Sequence, residues 1–362
     1  MVVTQDRMNA RHIVARDNVS RQTKHALPCR SSRAFPANRR LQANKITPPD
    51  SYRPHMHSSD PRLYRGRFAP SPTGALHFGS LIAATASFLE ARSRGGEWLV
   101  RMEDIDTPRN VAGAASDILR TLEAFGFAWD GPVWVQSERH AAYQAALDSL
   151  RQAGLLYGCN CSRSQIAATA KLRAVDGGWV YPGHCRTAGL TDPGLAQRLR
   201  VTTQPLGFID RIQGEVSQHL AAQVGDFILR RADGLFAYQL AVVVDDAAQG
   251  ISDIVRGADL LASTPRQIWL QRCLGYPTPS YAHLPVATNP AGEKWSKQTL
   301  APALVPQAAS RQLWQALHFL GQAVPDELQQ APISDLWGWA LTHWSLAAIP
   351  RQQAISAAAD PG

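Results

Sequence analysis

The chain has 362 residues, of which 45% are hydrophobic, so it can bury a large core and is predicted to form two or more domains. No run of eighteen apolar residues occurs, so the sequence predicts neither a transmembrane helix nor a membrane partner. The net charge of +8 lies mostly in residues 1–60, where nine Arg and two Lys face four Asp and no Glu, so charge alone does not predict RNA binding by the folded body.

Residues 1–60 are rich in Arg, Asn, Ser, Gln and Pro and lack sustained periodicity, so we predict a disordered basic extension. They also lack the apolar block of a secretory signal. An Arg-rich, acid-poor leader is typical of an organelle transit peptide. We favour a simpler explanation, in which the segment before Met56 is an upstream extension or a mis-set start.

The first structured stretch is predicted to be a strand, a turn and a helix. Arg67 and Phe68 close a short strand, and the Pro and Gly residues of the next six positions stop regular structure. Apolar spacing from Leu76 predicts a helix that ends near Gly95, with His77 in its first turn. A helix N-terminus with a glycine close by can bind phosphate. We therefore predict a nucleotide site; a histidine that only bonds a turn carbonyl is the alternative, and the motif taken alone favours it.

Acidic residues follow the next predicted strand, Trp98–Met102. In an open parallel sheet, ligands bind beyond the carboxyl ends of the strands, so Glu103 is placed to bind a substrate ammonium group. A solvated acidic turn is the alternative. Amphipathic helices are predicted next, over 114–125 and 138–153.

Three of the five cysteines, Cys159, Cys161 and Cys185, fall within 27 residues. This spacing indicates a tetrahedral Zn²⁺ site in a reducing compartment rather than disulfides. Ligand chemistry alone favours His184 as the fourth ligand, because imidazole outranks phenolate at neutral pH. Two buried thiols with an accidental third would give the same pattern.

Short strands are predicted from residue 198 onward, the last of them the apolar run 235–246, which contains Tyr238. Arg256 then precedes a predicted helix over 263–274, where Pro265 fits the first turn. Arg256 is a candidate for binding a substrate carboxylate, and a surface ion pair is the alternative.

The last motif is the segment Lys294-Trp295-Ser296-Lys297-Gln298, in a loop with Pro and Gly hinges. Such a loop can bring ammonium groups to phosphates whose charge grows in a transition state, although two lysines alone are usually exposed charge. Two amphipathic helices are predicted beyond it, near 310–319 and 334–344.

Taken together, these motifs resemble the class I aminoacyl-tRNA synthetases. HFGS at 77–80 resembles their HIGH element, and KWSKQ at 294–298 resembles their KMSKS loop. The segments RFAPSPTGALHFGSL, RMEDIDTPR, CNC, YPGHC, DGLFAYQLAVVVDD and DIVRGADLL are similar to the glutamate-specific branch, over roughly residues 64–300.

The resemblance implies an α/β fold. Its Rossmann-like catalytic domain would be formed by 61–154 and 223–300, with an inserted zinc-containing subdomain over 155–222 and a short helical C-terminal region over 301–362. The basic extension would occupy 1–60.

The resemblance also implies the activity and the site residues. Glutamate would be activated with ATP and Mg²⁺ to glutamyl-adenylate, and the glutamyl group would pass to a tRNA. The resemblance assigns catalysis to His77 and Lys297; ATP binding to His77, Gly79, Lys294 and Lys297; glutamate binding to Arg67, Ser71, Glu103, Tyr238 and Arg256; and zinc to Cys159, Cys161, Tyr181 and Cys185. Tyr181 thereby replaces His184 as the fourth zinc ligand.

The sequence departs from the family motifs at Ser80, Trp295 and Gln298, and only 64 residues follow Gln298. We expect no room there for an anticodon-binding region, which favours the shortened members that glutamylate queuosine in the anticodon of tRNA(Asp). A truncated enzyme that charges tRNA(Glu), a small-molecule adenylyltransferase and a non-catalytic zinc-and-RNA-binding module are the alternatives. We expect a cytoplasmic monomer.

Overall fold

The computed structural model describes residues 64–175, 177–289, 292–295 and 302–357. The predicted basic extension over 1–60 lies outside this part of the chain. Of the helices within these ranges, none has both the length and the hydrophobicity needed to cross a bilayer.

The strands are β1 (Arg65–Phe68), β2 (Glu97–Met102), β3 (Trp134–Val135), β4 (Leu156–Cys159), β5 (Ala196–Leu199), β6 (Leu206–Asp210), β7 (Gly214–Gln218), β8 (Phe227–Arg230), β9 (Asp253–Gly257), β10 (Ser280–Leu284), β11 (Val286–Thr288) and β12 (Ala354–Ser356). The helices are α1 (Phe78–Ser93), α2 (Ala114–Ala124), α3 (His140–Gln152), α4 (Arg163–Thr169), α5 (Leu220–Gln223), α6 (Tyr238–Ala248), α7 (Thr264–Leu274), α8 (Ala309–Phe319) and α9 (Ile333–His343).

Parallel strands build the part of the fold that carries the site. β1, β2 and β3 form one parallel sheet in that order, and β9 and β10 pair in parallel in a second sheet. The Ser252 N–H donates to the Arg65 carbonyl at 3.0 Å, which ties the start of β1 to the residue before β9. Residues that follow β1, β2, β9 and β10 therefore gather at one edge, where ligands of open parallel sheets bind. The predicted α/β fold is confirmed.

The second sheet also contains a hairpin. β6 pairs in parallel with β10 through Asp210 and Tyr281, and β7 returns antiparallel to β6, giving the order β7-β6-β10-β9. β4, β5 and β8 form a separate antiparallel sheet. Strand pairing thus crosses the limit predicted at 222 in both directions, since β6 and β7, inside the predicted insertion, join the β9-β10 sheet, and β8, outside it, joins β4 and β5. The domain limits stay predictions.

The predicted strand over 235–246 is wrong from Tyr238 onward, because residues 238–248 form α6. Every residue from Leu240 to Asp246 is buried, so the run has no exposed face and shows no helical period. Without a helical period, the prediction depended on composition, and three consecutive valines are typical of a strand. The helix places Tyr238 in its first turn and Asp246 in its second half.

Aromatic side chains form the centre of the core beneath α1. Trp98 is fully buried, stacks on Phe127 with ring centroids 5.5 Å apart, and meets Phe88 edge-on. Trp337 of α9 packs against Phe88 and donates its indole N–H to the Phe125 carbonyl at 2.9 Å. Both predicted C-terminal helices are confirmed as α8 and α9, and they pack against α1.

Candidate active site

The first part of the site is a cavity of about 210 Å³ at the N-terminus of α1. His77 is the N-cap of this helix, and its Nδ1 accepts the Ser80 N–H at 3.3 Å. A side chain at Gly79 would lie 3.1 Å from the His77 ring and 3.4 Å from the Trp295 carbonyl, so this crowded position favours glycine. His77, Gly79 and Lys294, three residues predicted to bind ATP, all line this cavity.

The start of the lysine loop lies along the same cavity. The Trp295 N–H donates to the Ala287 carbonyl at 2.8 Å, and Lys294 forms a β-bridge with Thr288, so the chain folds back along β11. The Lys294 Nζ lies 2.5 Å from a carboxylate oxygen of Asp259, two residues beyond the end of β9. Lys297 lies outside the described residues, so its part in the site stays a prediction.

A second cavity, of about 320 Å³, is lined by Ser71, Glu103 and Tyr238. Ser71 is exposed and follows β1, Glu103 directly follows β2, and Tyr238 begins α6. Three of the five residues predicted to bind glutamate are therefore brought together, although they are far apart in the sequence.

Arg67 belongs to a buried ion-pair network next to this cavity. Its Nε lies 3.2 Å from Asp246, and the same carboxylate accepts Arg101 at 2.9 Å. Arg101 also reaches Glu103 at 3.2 Å, and these four side chains are each less than a tenth exposed. A single network of buried charges therefore connects β1, β2 and α6.

Burial and pairing act in opposite directions on the two carboxyl groups of this network. Burial raises the pKa of Glu103 above its usual value, and the Arg101 and Arg67 guanidinium groups offset this only in part. Burial also opposes ionisation of Asp246, but Arg67 and Arg101 outweigh it and hold the pKa of Asp246 below its usual value. Asp246 therefore holds the arginines in place, while the charge of an ionised Glu103 is compensated only in part by the two arginines, so a ligand cation would favour its ionisation.

Arg256, on β9, has an incompletely satisfied guanidinium group. Its Nε donates to His283 at 3.1 Å, and one terminal nitrogen donates to Thr264 at 2.8 Å and to Gln267 at 2.7 Å. The other terminal nitrogen, Nη1, is buried and has no hydrogen-bond partner among the described residues. A buried guanidinium nitrogen without a partner is costly, and a carboxylate is the ligand that fits it best.

Two successive residues at the end of β9 relate it to both cavities. Gly257 lines the first cavity, and the preceding residue, Arg256, acts electrostatically on Tyr238 of the second. Arg67 and Glu103 act on Tyr238 as well. The arrangement can hold a zwitterion with a carboxylate and an ammonium group beside a polyphosphate at a helix N-terminus.

Sequence reasoning missed three residues that organise this site. Arg101 stands within the otherwise apolar run Trp98–Met102, and Asp246 ends another apolar run, so each was an ionisable residue in a buried context and gave a usable signal. His283 is fully buried on β10 and bonds to Arg256, but no feature of the sequence indicated this.

The three cysteines predicted to bind metal also come together. Their Sγ atoms all lie within 4.8 Å of one another, and those of Cys161 and Cys185 are 3.4 Å apart. Four ligands at a Zn–S distance of about 2.3 Å have sulfur atoms about 3.8 Å apart, so this cluster can hold a tetrahedral metal ion.

Tyr181, rather than His184, reaches the cysteine cluster. The Tyr181 hydroxyl lies 3.5 Å from the Cys159 Sγ and 3.8 Å from the Cys161 Sγ, and the Cys185 N–H donates to it at 2.9 Å. His184 is exposed, and its Nε2 lies 2.9 Å from the Thr169 hydroxyl. The side-chain directions favour the set that the family resemblance implied.

Comparisons with known proteins agree with this geometry. The family model for the catalytic domain of class I tRNA synthetases (E and Q) matches residues 64–311. A glutamyl-Q tRNA(Asp) synthetase of Dechloromonas aromatica is 67% identical over 294 residues, which cover 81% of this chain and 97% of the relative. A glutamyl-Q tRNA(Asp) synthetase of Chromobacterium violaceum is 60% identical over 290 residues, which cover 80% of this chain and 96% of the relative.

The crystal structure of a glutamate-tRNA synthetase from Elizabethkingia anophelis superposes with a TM-score of 0.66, covering 81% of this chain and 68% of that one. At 23% sequence identity, this likeness shows the shared fold. The chain therefore belongs to the class I tRNA synthetases for glutamate and glutamine, and within them to the glutamyl-Q tRNA(Asp) synthetases.

Proposed function

We propose that this ligase activates L-glutamate with ATP and transfers the glutamyl group to queuosine in the anticodon of tRNA(Asp). The observation that carries the proposal is the buried Nη1 of Arg256, which has no partner among the described residues and belongs to the site that holds Glu103 and Tyr238. The close relatives, named glutamyl-Q tRNA(Asp) synthetases, support the acceptor.

Glutamate would enter the second cavity with its charged groups paired. Arg256, through the two N–H donors of its Nη1, and Arg67 would receive its carboxylates, because guanidinium N–H groups form strong, charge-assisted hydrogen bonds with a carboxylate. Glu103 would receive its ammonium group. Ser71 and Tyr238 would contact the remaining polar atoms from the cavity wall.

ATP would place its phosphates at the N-terminus of α1, where unpaired N–H groups and the helix dipole favour negative charge. His77, Gly79 and Lys294 line this cavity, and Lys297 is proposed to reach the phosphates from the loop. Mg²⁺, bound with ATP, would neutralise phosphate charge.

The reaction needs no covalent protein nucleophile. The glutamate α-carboxylate attacks the α-phosphorus of ATP in line, the bond to the leaving pyrophosphate breaks, and glutamyl-adenylate remains bound. The protein contributes positioning and charge stabilisation. A hydroxyl of the queuosine base then attacks the activated carbonyl, releasing AMP and leaving a glutamyl ester on the tRNA.

We further propose that Cys159, Cys161, Cys185 and Tyr181 bind a structural Zn²⁺. The sulfur spacing and the three contacts of the Tyr181 hydroxyl support this set. The metal would lock the segment between β4 and β5 and would take no part in the chemistry.

Labelled glutamate tests the proposal directly. Purified protein is incubated with ATP, Mg²⁺, [¹⁴C]glutamate and one of three RNAs: tRNA(Asp) with queuosine, tRNA(Asp) without it, and tRNA(Glu). We expect label only on the queuosine-bearing tRNA(Asp). Label on tRNA(Glu) instead would identify a truncated glutamate-charging enzyme, and label on none of the three RNAs would overturn the transfer step.

A further inference from the structure

Two buried residues on neighbouring strands, Asp210 and His283, form a series of hydrogen bonds that ends at the guanidinium group of Arg256. Asp210 ends β6, His283 lies on β10 and Arg256 lies on β9, and these strands are adjacent in the sheet. The β9-β10 register places His283 directly opposite Arg256. The His283 Nδ1 lies 2.6 Å from the Asp210 Oδ2, and the His283 Nε2 lies 3.1 Å from the Arg256 Nε.

Asp210 itself is rigidly fixed. Its Oδ1 accepts three backbone N–H groups, from Ile212 at 3.0 Å, Gln213 at 2.8 Å and His283 at 3.1 Å. Its carboxylate is fully buried, as is the His283 ring. Because both oxygens of Asp210 are used, the carboxylate has one orientation, with Oδ2 facing the imidazole.

The hydrogen-bond roles along this chain follow from the arginine. A guanidinium Nε–H can only donate, so the His283 Nε2 must be an unprotonated acceptor. A neutral imidazole then carries its proton on Nδ1, where it donates to Asp210. Burial lowers the pKa of His283 to about 4, despite the opposing hydrogen bond to Asp210, which agrees with a neutral ring.

This chain of bonds leaves Arg256 with one free side. Of the five N–H donors of a guanidinium group, the Nε donor goes to His283 and the two on Nη2 go to Thr264 and Gln267. The two on Nη1 have no partner among the described residues. Rotation of the group would break three bonds at once, so Nη1 has a fixed direction.

We propose that Asp210 is a positioning residue for glutamate: by fixing the tautomer of His283, it orients Arg256 so that Nη1 receives a substrate carboxylate. The proposal rests on the glutamate activation proposed above. It links the β6-β7 hairpin, which makes no direct contact with the substrate in this account, to amino-acid affinity.

Asp210→Asn tests this with little change in volume. The Asn Oδ1 can still accept the backbone N–H groups, but its Nδ2 donates where the carboxylate accepted, so the His283 proton must move to Nε2. Two donors, at His283 and Arg256, would then face each other at the present 3.1 Å separation. The matched control is Asp253→Asn, which makes the same change on β9, where Asp253 pairs with Arg211 at 3.5 Å.

Glutamate-dependent ATP–pyrophosphate exchange gives the kinetic result. We expect Asp210→Asn to raise the KM for glutamate at least tenfold, about 1.4 kcal/mol, and to leave the KM for ATP within about twofold. Asp253→Asn should change neither. An unchanged KM for glutamate in Asp210→Asn, or equal rises in both KM values, would overturn the proposal.

The tautomer of His283 can be read without any activity. In ¹⁵N-histidine NMR spectra, with the signal assigned by its loss in His283→Gln, the wild type should show protonated Nδ1 and bare Nε2. Asp210→Asn should show the reverse. Protonated Nε2 in the wild type would refute the proposal even if the variant fails to fold. A wild type that lacks glutamate-dependent exchange but shows the expected tautomer would instead refute the proposed function.

Discussion

Replacing Asp246 by Asn is expected to lower both the stability of the protein and its affinity for glutamate. The Asp246 carboxylate accepts Arg101 at 2.9 Å and Arg67 at 3.2 Å, and all three side chains are buried. In the variant, Arg101 would still pair with Glu103, which lies 3.2 Å away. Arg67 would lose its ion pair, because Asp246 is its only ion-pair partner among the residues that the structure describes. The loss therefore falls mainly on Arg67.

The size of the effect follows from the uncompensated charge. Removing one partner of a buried ion pair costs about 3–5 kcal/mol, and we expect the lower end, about 3 kcal/mol, because Asn still offers an oxygen. For a chain of this size, that is a fall in Tm of about 5 °C. Arg67 also loses its anchor, so the KM for glutamate should rise about tenfold.

The pH dependence of this stabilisation has a definite sign. Burial opposes ionisation of Asp246, but Arg67 and Arg101 hold its pKa in the folded protein below the usual 3.8. The pair therefore stabilises the fold fully above about pH 4 and loses its effect as the pH falls through the lower folded value. The comparison is best made near neutral pH.

Thermal unfolding and ATP–pyrophosphate exchange together test this reasoning. Asp148→Asn is the matched control, because Asp148 is 46% exposed and pairs with Arg151 at the surface. Its effect should stay below about 0.5 kcal/mol. If Asp246→Asn retained the Tm and the glutamate KM of the wild type, the buried network would have neither of the roles given to it.

Three further predictions concern other parts of the site. Burial raises the pKa of Glu103, so as the pH is lowered the KM for glutamate should begin to rise at a higher pH than the usual pKa of 4.5 would give. Glu103→Gln should raise the KM at every pH and remove this pH dependence. Wild-type and variant pH profiles that coincide would contradict this. Purified protein should contain one zinc per chain by elemental analysis, and Cys159→Ser should lose it while Cys273→Ser keeps it; metal-free, fully active protein would refute the site. Lys297→Ala should slow adenylate formation at least tenfold, about 1.4 kcal/mol, and exchange at the wild-type rate would remove that lysine from the mechanism.

Local chemistry made the first strand, turn and helix predictable. Pro70, Pro72 and Gly74 stop regular structure, and the helix that follows has apolar residues at helical spacing. It begins at Phe78 rather than near Leu76, so His77 is its N-cap and not, as predicted, a residue of its first turn. Glu103 could be placed because it follows a strand at the edge where ligands of parallel sheets bind, whereas Arg67 was assigned through the family resemblance alone. The family, and the ligase class that goes with it, are confirmed by relatives that match over most of their length.

The remaining features depend on tertiary contacts that no local pattern contains. Helix α6 is buried along most of its length, so its apolar run looked like a strand. Arg101 and Asp246 are 145 positions apart, and only the packing of α6 beside β2 makes them partners. Tyr181 and His184 are close in the chain, and the direction of each side chain, which spacing does not give, places one at the cysteines and the other at Thr169.

Glutamate-dependent ATP–pyrophosphate exchange by the wild-type protein, compared across the amino acids and measured with and without tRNA, tests the central claim most directly. The account predicts that label moves from pyrophosphate into ATP with L-glutamate, and that Arg256→Gln abolishes this. Exchange driven equally by an amino acid without a second carboxylate, or no exchange with glutamate under any condition, would contradict it.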